Sequence, residues 1–190
     1  MDGKVPHVVL DASVLFPFQT SHILAFMVQY RVVHGRWTRD IQREWVERSL
    51  EKYPGLDRKS IEARRDAMDR AMPDALVTGY RYRIAGIEFP DPDDRHVVAA
   101  ALECGATMIV TRDKKHFNRQ TLAPFGLVPI DPDDLLCARL DELPEVVEEV
   151  VDRARCPQQD KARPRTYLDL LNKTGLSAFV ARLRGNVPSP

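Results

Sequence analysis

The sequence lacks the features that announce several functional classes. Its three cysteines, Cys104, Cys137 and Cys156, stand 33 and 19 residues apart with no CxxC pair. That spacing encodes neither a zinc ribbon nor a disulfide framework and fits a reducing cytoplasm. No G-x-x-x-x-G-K-[ST] run is present, so no phosphate cradle for ATP or GTP is expected. Neither charge dominates: 28 Lys and Arg balance 28 Asp and Glu. Any polyanion must therefore be met by a local basic patch rather than by bulk positive charge. The opening Met1-Asp2-Gly3-Lys4 has no basic-then-apolar pattern of a signal peptide. Ala12 to Tyr30 is free of Asp, Glu, Lys and Arg, but Pro17 and Gln19-Thr20-Ser21-His22 break it into halves too short for a bilayer. No membrane segment is expected. The five histidines, His7, His22, His34, His96 and His116, are scattered without metal-ligand spacing and read as structural or surface residues. There are no internal repeats and no low-complexity tract.

What is present suits a folded chain. Over 190 residues, 44% are hydrophobic and 29% charged, enough for one full domain with a small appendage. Short β-like runs alternate with helical patterns, which points to an α/β domain with a mainly parallel sheet. His7–Leu10 is a β-branched run suited to a central strand. Helices are expected from Ser21 to about Arg31, from a Thr38 cap through Ile41, Trp45 and Leu50, and from an Asp57 cap through Met72. Ile84–Phe89 reads as a weak strand. In Asp91-Pro92-Asp93-Asp94, a proline after an aspartate cap opens a helix whose apolar positions are Val97, Val98, Ala101 and Leu102, and Gly105 is placed to end it. Met108–Thr111 is a second buried strand and Leu127–Ile130 an edge strand. At Asp131-Pro132 the composition changes, so a first domain is expected over 1–132 and a helical extension over 133–190. The extension's patterns are Asp134–Leu140, Pro144–Arg155 and Thr166–Leu183, separated by the polar stretch Pro157–Pro164.

Four acids fall where open α/β sheets bind ligands, at the carboxyl ends of strands or the start of the next helix: Asp11, Glu44, Asp94 and Asp113. Singly, each has an ordinary explanation as a cap, a loop residue or a solvated helix carboxylate. Jointly they demand more, because converging carboxylates repel one another unless protons or a cation intervene. With oxygen ligands and no His or Cys cluster, a hard cation, Mg²⁺ or Mn²⁺, is favoured over zinc. Phosphoryl transfer is the chemistry that most needs such a site, since the cation activates water, orients a phosphate and offsets charge on the leaving oxygen.

Four segments then carry a resemblance. Val8-Val9-Leu10-Asp11-Ala12-Ser13-Val14-Leu15, Trp37-Thr38-Arg39-Asp40-Ile41-Gln42-Arg43-Glu44, Asp91 to Ala101 and Ile109-Val110-Thr111-Arg112-Asp113-Lys114-Lys115-His116-Phe117 are similar, in order and spacing, to the PIN-domain nucleases. The resemblance is closest to VapC-type toxins of toxin–antitoxin pairs with a helical C-terminal extension, and it covers roughly residues 5–130. It implies a three-layer domain with helices flanking a mainly parallel sheet, and a metal-dependent endoribonuclease. Asp11 and Asp94 would be direct ligands of Mg²⁺ or Mn²⁺, with Glu44 and Asp113 completing the acidic pocket and Asp113 as a third candidate ligand. Ser13 and Thr111 would steady the site, while Asp91 and Asp93 lie close enough to assist. Relatives often carry Asn at the position of Asp113, which leaves the role of its charge open. The resemblance also implies an RNA substrate, a small antitoxin protein as partner, room for a homodimer, and a cytoplasmic setting.

RNA must be drawn to an acidic pocket, so basic residues should ring it. Arg95, Arg112, Lys114 and Lys115 sit beside the acids. Arg58, Lys59, Arg64, Arg65 and Arg70 lie on the third helix, where Glu62, Asp66 and Asp69 interleave and favour a solvated face. Competing schemes fit less well. A haloacid-dehalogenase-type phosphatase needs a carboxylate where Ser13 stands, and a receiver needs an acidic pair at the first strand. A PIN-shaped scaffold that binds RNA or protein without cutting, and a housekeeping RNA-processing nuclease, stay as alternatives.

Overall fold

A computed structural model describes residues 5–155 and 164–185. Cys156 and residues 157–163 of the expected polar stretch lie outside them. The chain begins with β1 (His7–Leu10), a one-turn helix α1 (Ala12–Leu15) and α2 (Phe18–Gln29), followed by β2 (His34–Arg36), α3 (Arg39–Lys52), α4 (Arg58–Ala71) and the short α5 (Arg81–Ile84). Then come α6 (Arg95–Cys104), β3 (Met108–Val110), α7 (Arg119–Leu122) and β4 (Val128–Ile130). Among the described residues four further helices follow: α8 (Pro132–Glu142), α9 (Pro144–Ala154), α10 (Pro164–Lys173) and α11 (Ser177–Leu183).

The strands form one parallel sheet in the order β2-β1-β3-β4, flanked by helices, as an α/β PIN-like architecture requires. Val8, Val9 and Leu10 are fully buried because β1 is central and covered on both faces, which is why its sequence is a continuous apolar run rather than an alternation. From β1 the chain adds β2 on one side, then crosses back to add β3 on the other. The carboxyl ends of β1 and β3 therefore flank the point where strand order reverses, the usual place for a ligand crevice. Leu10 pairs with Val110, so the residues just beyond, Asp11 and Thr111, emerge side by side.

Local chemistry explains the helix boundaries. Thr38 caps α3 by accepting from the Ile41 amide at 3.1 Å, and Asp57 caps α4 by accepting from the Ser60 amide at 3.0 Å. Asp91 caps a tight turn, Pro92–Asp94, that feeds α6, and Gly105 ends that helix at φ 67°. Ala99, Ala100 and Ala101 are wholly buried, letting α6 sit close on the sheet. No helix among the described residues is long and apolar enough to cross a membrane.

Three expectations need correction. Ile84–Phe89 is not a strand: Ile84 ends α5, and the loop beyond it buries Ile87 and Phe89, the latter 5.2 Å ring to ring from Phe117. The buried-exposed alternation of 87–89 mimics a strand, but no sheet edge is there to pair it. Helix α2 begins a turn before Ser21, since Pro17 fixes the approach and needs no amide donor. Thr166–Leu183 is two helices, parted at Gly175 with φ 81°.

The C-terminal helices carry buried side chains of their own: Val147, Leu171, Leu176 and Phe179 are completely covered. They meet the rest of the chain through α2. His22 Nε2 lies 3.0 Å from the Ala154 carbonyl, and Thr20 donates to Thr174 at 3.1 Å. Asp133 caps α11, accepting from the Ala178 and Phe179 amides at 2.9 Å each. Replacing Phe179 by Ala should cost about 3–5 kcal/mol, the usual loss for a buried phenylalanine. The expected result is a lower urea midpoint by the fluorescence of buried Trp37 and Trp45; an unmoved tryptophan transition would mean that the last helices unfold separately.

Candidate functional site

Asp11 follows β1 and caps α1. Its Oδ1 accepts from the Ala12 amide at 2.7 Å; its Oδ2 accepts from the Ser13 amide at 3.2 Å, the Ser13 hydroxyl at 2.6 Å and the Thr111 hydroxyl at 2.9 Å. Ser13 also accepts from the Arg112 amide at 3.0 Å, and Thr111 from the Asp113 amide at 3.0 Å. Two hydroxyls thus bridge the ends of β1 and β3 and hold both acidic segments in place. An aspartate 4% exposed would be costly without these donors.

Asp94 stands at the start of α6, half-buried. Burial, then the nearby carboxylates of Asp11 and Asp91, push its carboxyl up to about 6, while a hydrogen bond with His116 works the other way. Its Oδ2 lies 3.1 Å from His116 Nδ1. The same nitrogen is 3.1 Å from Asp113 Oδ2 and 3.6 Å from Asp91 Oδ2. Asp113 holds its own loop, with Oδ1 accepting from the Lys115 amide at 3.0 Å and the His116 amide at 3.1 Å. Asp91, Asp94 and His116 form a group able to hold a metal ion. The donor set, hard carboxylate oxygens with one imidazole, fits a divalent cation.

Glu44 projects from the middle of α3 and lies beside buried His96 of α6, with Oε1 2.6 Å from His96 Nε2 but without hydrogen-bond alignment. One turn earlier on α3, buried Asp40 is bound by the Tyr80 hydroxyl and by Arg43 and Arg81. Burial works to raise its carboxyl; Tyr80, then Arg81 and Arg43, outweigh that and lower it. Asp40 is thus an internally neutralised strut between α3 and α5.

The structure brings Asp11, Ser13, Asp94, Thr111 and Asp113 together and sets Glu44 against α6. Among the basic residues, Lys114 and Lys115 are exposed, Lys114 lying 3.5 Å from Asp131, and Arg95 is half-buried at the head of α6. Arg112 turns away into the seam with the last helices, where its Nη2 donates to Thr20 at 3.3 Å. Burial lowers its pKa, opposed by Asp131 and Asp133. On α4, Arg58 makes a two-point pair with Glu47, Arg65 pairs with Asp66, and Arg64 lies 3.5 Å above the Phe18 ring.

Sequence reasoning missed two histidines. His116 and His96 both lie against acids of the site, so two imidazoles stand beside the expected oxygen donors. The available signal was position: His116 lies three residues beyond Asp113 in a tight turn, and His96 two beyond Asp94 at a helix start.

A family model described as PIN domain matches residues 7–115. A protein of Mycobacterium tuberculosis named "Putative ribonuclease VapC50" is 35% identical over 116 residues, covering 60% of this chain and 68% of its own length. No solved structure matches the chain significantly.

The Asp94 carboxyl yields a signed prediction. Its pKa is about 6 in the fold, above the ordinary aspartate value near 4, so the folded state binds the proton more tightly than the unfolded chain. The associated stability is present below about pH 4 and is lost as pH rises through about 6. With EDTA present, Asp94→Asn should therefore be more stable than wild type at about pH 7.5, by on the order of 1 kcal/mol after solvent screening, and the gap should shrink towards pH 4. Urea denaturation of both proteins across this range checks it; a pH-independent difference contradicts the assignment.

Proposed function

This chain belongs to the PIN domain family, and on that premise we propose that it is a metal-dependent endoribonuclease, the toxin of a toxin–antitoxin pair. The observation that carries the proposal is the coupling of Asp94 to the Asp11 and Asp91 carboxylates beside the point where strand order reverses. Charges so gathered fit the retention of a cation. The relative's name, which describes a ribonuclease, supports RNA as the substrate.

In this reading Asp11, Asp94 and Asp113 hold Mg²⁺ or Mn²⁺, and Glu44 completes the acidic pocket. When bound, the cation supplies Lewis-acid activation of water and stabilises charge at the phosphate. Ser13 and Thr111 keep the Asp11 carboxylate aimed by spending their hydroxyl protons on its Oδ2, which leaves Oδ1 with only one donor. Glu44 lies beside His96 of α6. Lys114 and Lys115, exposed on the loop that carries Asp113, are placed to attract the RNA backbone, with Arg95 nearer the acids. Arg112 contributes by bracing that loop against α2 rather than by meeting RNA.

The proposed setting is the cytoplasm, with a small antitoxin protein as partner that holds the nuclease inactive. An Arg or Lys of that partner could sit among the site carboxylates as a charge-assisted hydrogen-bonding group. We also propose that residues 1–132 form the nuclease domain and 133–190 a helical extension.

Cleavage of single-stranded or loop RNA by the purified protein should stop in excess EDTA and return with Mg²⁺ or Mn²⁺. Asp11→Asn should slow it by at least about 100-fold, since losing one ligand charge removes several kcal/mol of stabilisation; Asp113→Asn should be milder. Products should end in 5′-phosphate and 3′-hydroxyl. Cleavage that persists in excess EDTA would end this reading, and 2′,3′-cyclic phosphate ends would show that the ribose hydroxyl, not water, attacks.

Expression of the chain alone should arrest growth, and Asp11→Asn should relieve the arrest. Harmless high-level expression of a protein that cuts RNA when purified would favour the housekeeping nuclease instead.

A further inference from the structure

We infer that His116 is a direct nitrogen ligand of the site's cation, and that it biases the site towards a transition-metal ion such as Mn²⁺ over Mg²⁺. The inference rests on the nuclease reading only in that the cation is the one that reading requires. Three carboxylates face a single imidazole nitrogen: Nδ1 lies 3.1 Å from Asp94 Oδ2, 3.1 Å from Asp113 Oδ2 and 3.6 Å from Asp91 Oδ2. One nitrogen can offer one proton, and one proton serves one acceptor well, so hydrogen bonding alone leaves two of these carboxylates without their due. A divalent ion would engage the imidazole together with Asp91 and Asp94, whose ligand atoms all lie within 4.8 Å of one another. In an octahedron with metal–ligand bonds of about 2.1 Å, adjacent donors stand about 3.0 Å apart, close to the two shorter distances.

The tethering of the carboxylates points the same way. Asp91 gives Oδ1 to the Asp93 amide at 2.9 Å, and Asp113 gives Oδ1 to the Lys115 and His116 amides. In each case one oxygen is anchored to backbone and the other turns towards His116. Two carboxylates are thus preorganised with a free oxygen, on separate segments, around one nitrogen. His116 is itself fixed, because its carbonyl accepts from the Thr121 hydroxyl at 2.7 Å while Phe117 beside it is buried against Phe89. A nitrogen donor adds little for Mg²⁺, which prefers oxygen and holds its waters, and more for first-row transition ions.

The test uses the full chain without RNA. Pulsed electron paramagnetic resonance of the Mn²⁺-loaded wild type should show coupling to a ¹⁴N nucleus, a measurement that needs no variant. Titration should show tighter binding of Mn²⁺ than of Mg²⁺. His116→Ala, with its fold checked by circular dichroism, should lose the ¹⁴N coupling and bind Mn²⁺ at least about 10-fold more weakly, with a smaller change for Mg²⁺. His116→Gln, which restores a polar donor without the ring nitrogen, should also lack the coupling. Absence of ¹⁴N coupling in the wild type, or unchanged Mn²⁺ affinity in His116→Ala, would overturn the assignment and leave His116 as a hydrogen-bonding neighbour of the acids. The two readings fail separately: RNA cleavage that survives EDTA and Asp11→Asn removes the nuclease reading whatever the spectrum shows. Metal-dependent cleavage without ¹⁴N coupling removes only the ligand role.

Discussion

Repulsion between carboxylates gathered at one end of a parallel sheet is the constraint on which the rest of this structure depends. Asp11 and Asp94 come from elements far apart in sequence, and burial, followed by the charges of Asp11 and Asp91, pushes the Asp94 carboxyl up to about 6. A fold that tolerates this must stabilise the charges elsewhere. Asp11 is held by two amides and two hydroxyls, Asp113 by two amides, and Asp91 by one. Most of these donors lie within three residues of the acid they serve, so each carboxylate is secured by its own turn before the turns are brought together. The parallel register then does the gathering, because pairing Leu10 with Val110 fixes where both turns begin.

Position along an element decides how such an acid behaves. Asp40 and Glu44 share one face of α3, a turn apart, yet Asp40 is closed off by Tyr80, Arg43 and Arg81, while Glu44 meets only the imidazole of His96. The first is a structural tie between α3 and α5. The second turns its carboxyl towards α6. Composition cannot separate the two, since both are acidic side chains in the first half of one helix.

Much of the fold was legible because its signals are local. The buried run of β1, the caps at Thr38, Asp57 and Asp91, the proline after Asp91 and the stop at Gly105 each depend on chemistry within a few residues. Ile84–Phe89 misled because alternation signals burial on one side but does not supply a partner strand. The break at Gly175 was hidden because the apolar positions on either side continue a helical spacing across it. In the site, the acids could be ordered along the chain from the strands and helices they follow. His116 and His96 stand within three residues of Asp113 and Asp94, but the carboxylates each meets from another element are set by packing rather than by spacing.

Arg112 gives the last helices a mechanical role. It lies between Thr111 and Asp113, whose side chains belong to the acidic end of the sheet, but its own guanidinium reaches Thr20 and lies beside Gly175, where an added Cβ would stand 3.5 Å from Nη2. Thr20 is also bonded to Thr174, so one short chain of contacts runs from the acidic loop through α2 to the turn between α10 and α11. The family match ends at residue 115, but the brace on its final loop is built from residues some 60 positions further on. The matched residues 7–115 thus meet the turn between α10 and α11 at two neighbouring points, the Arg112 guanidinium beside Gly175 and the Thr20 hydroxyl bonded to Thr174.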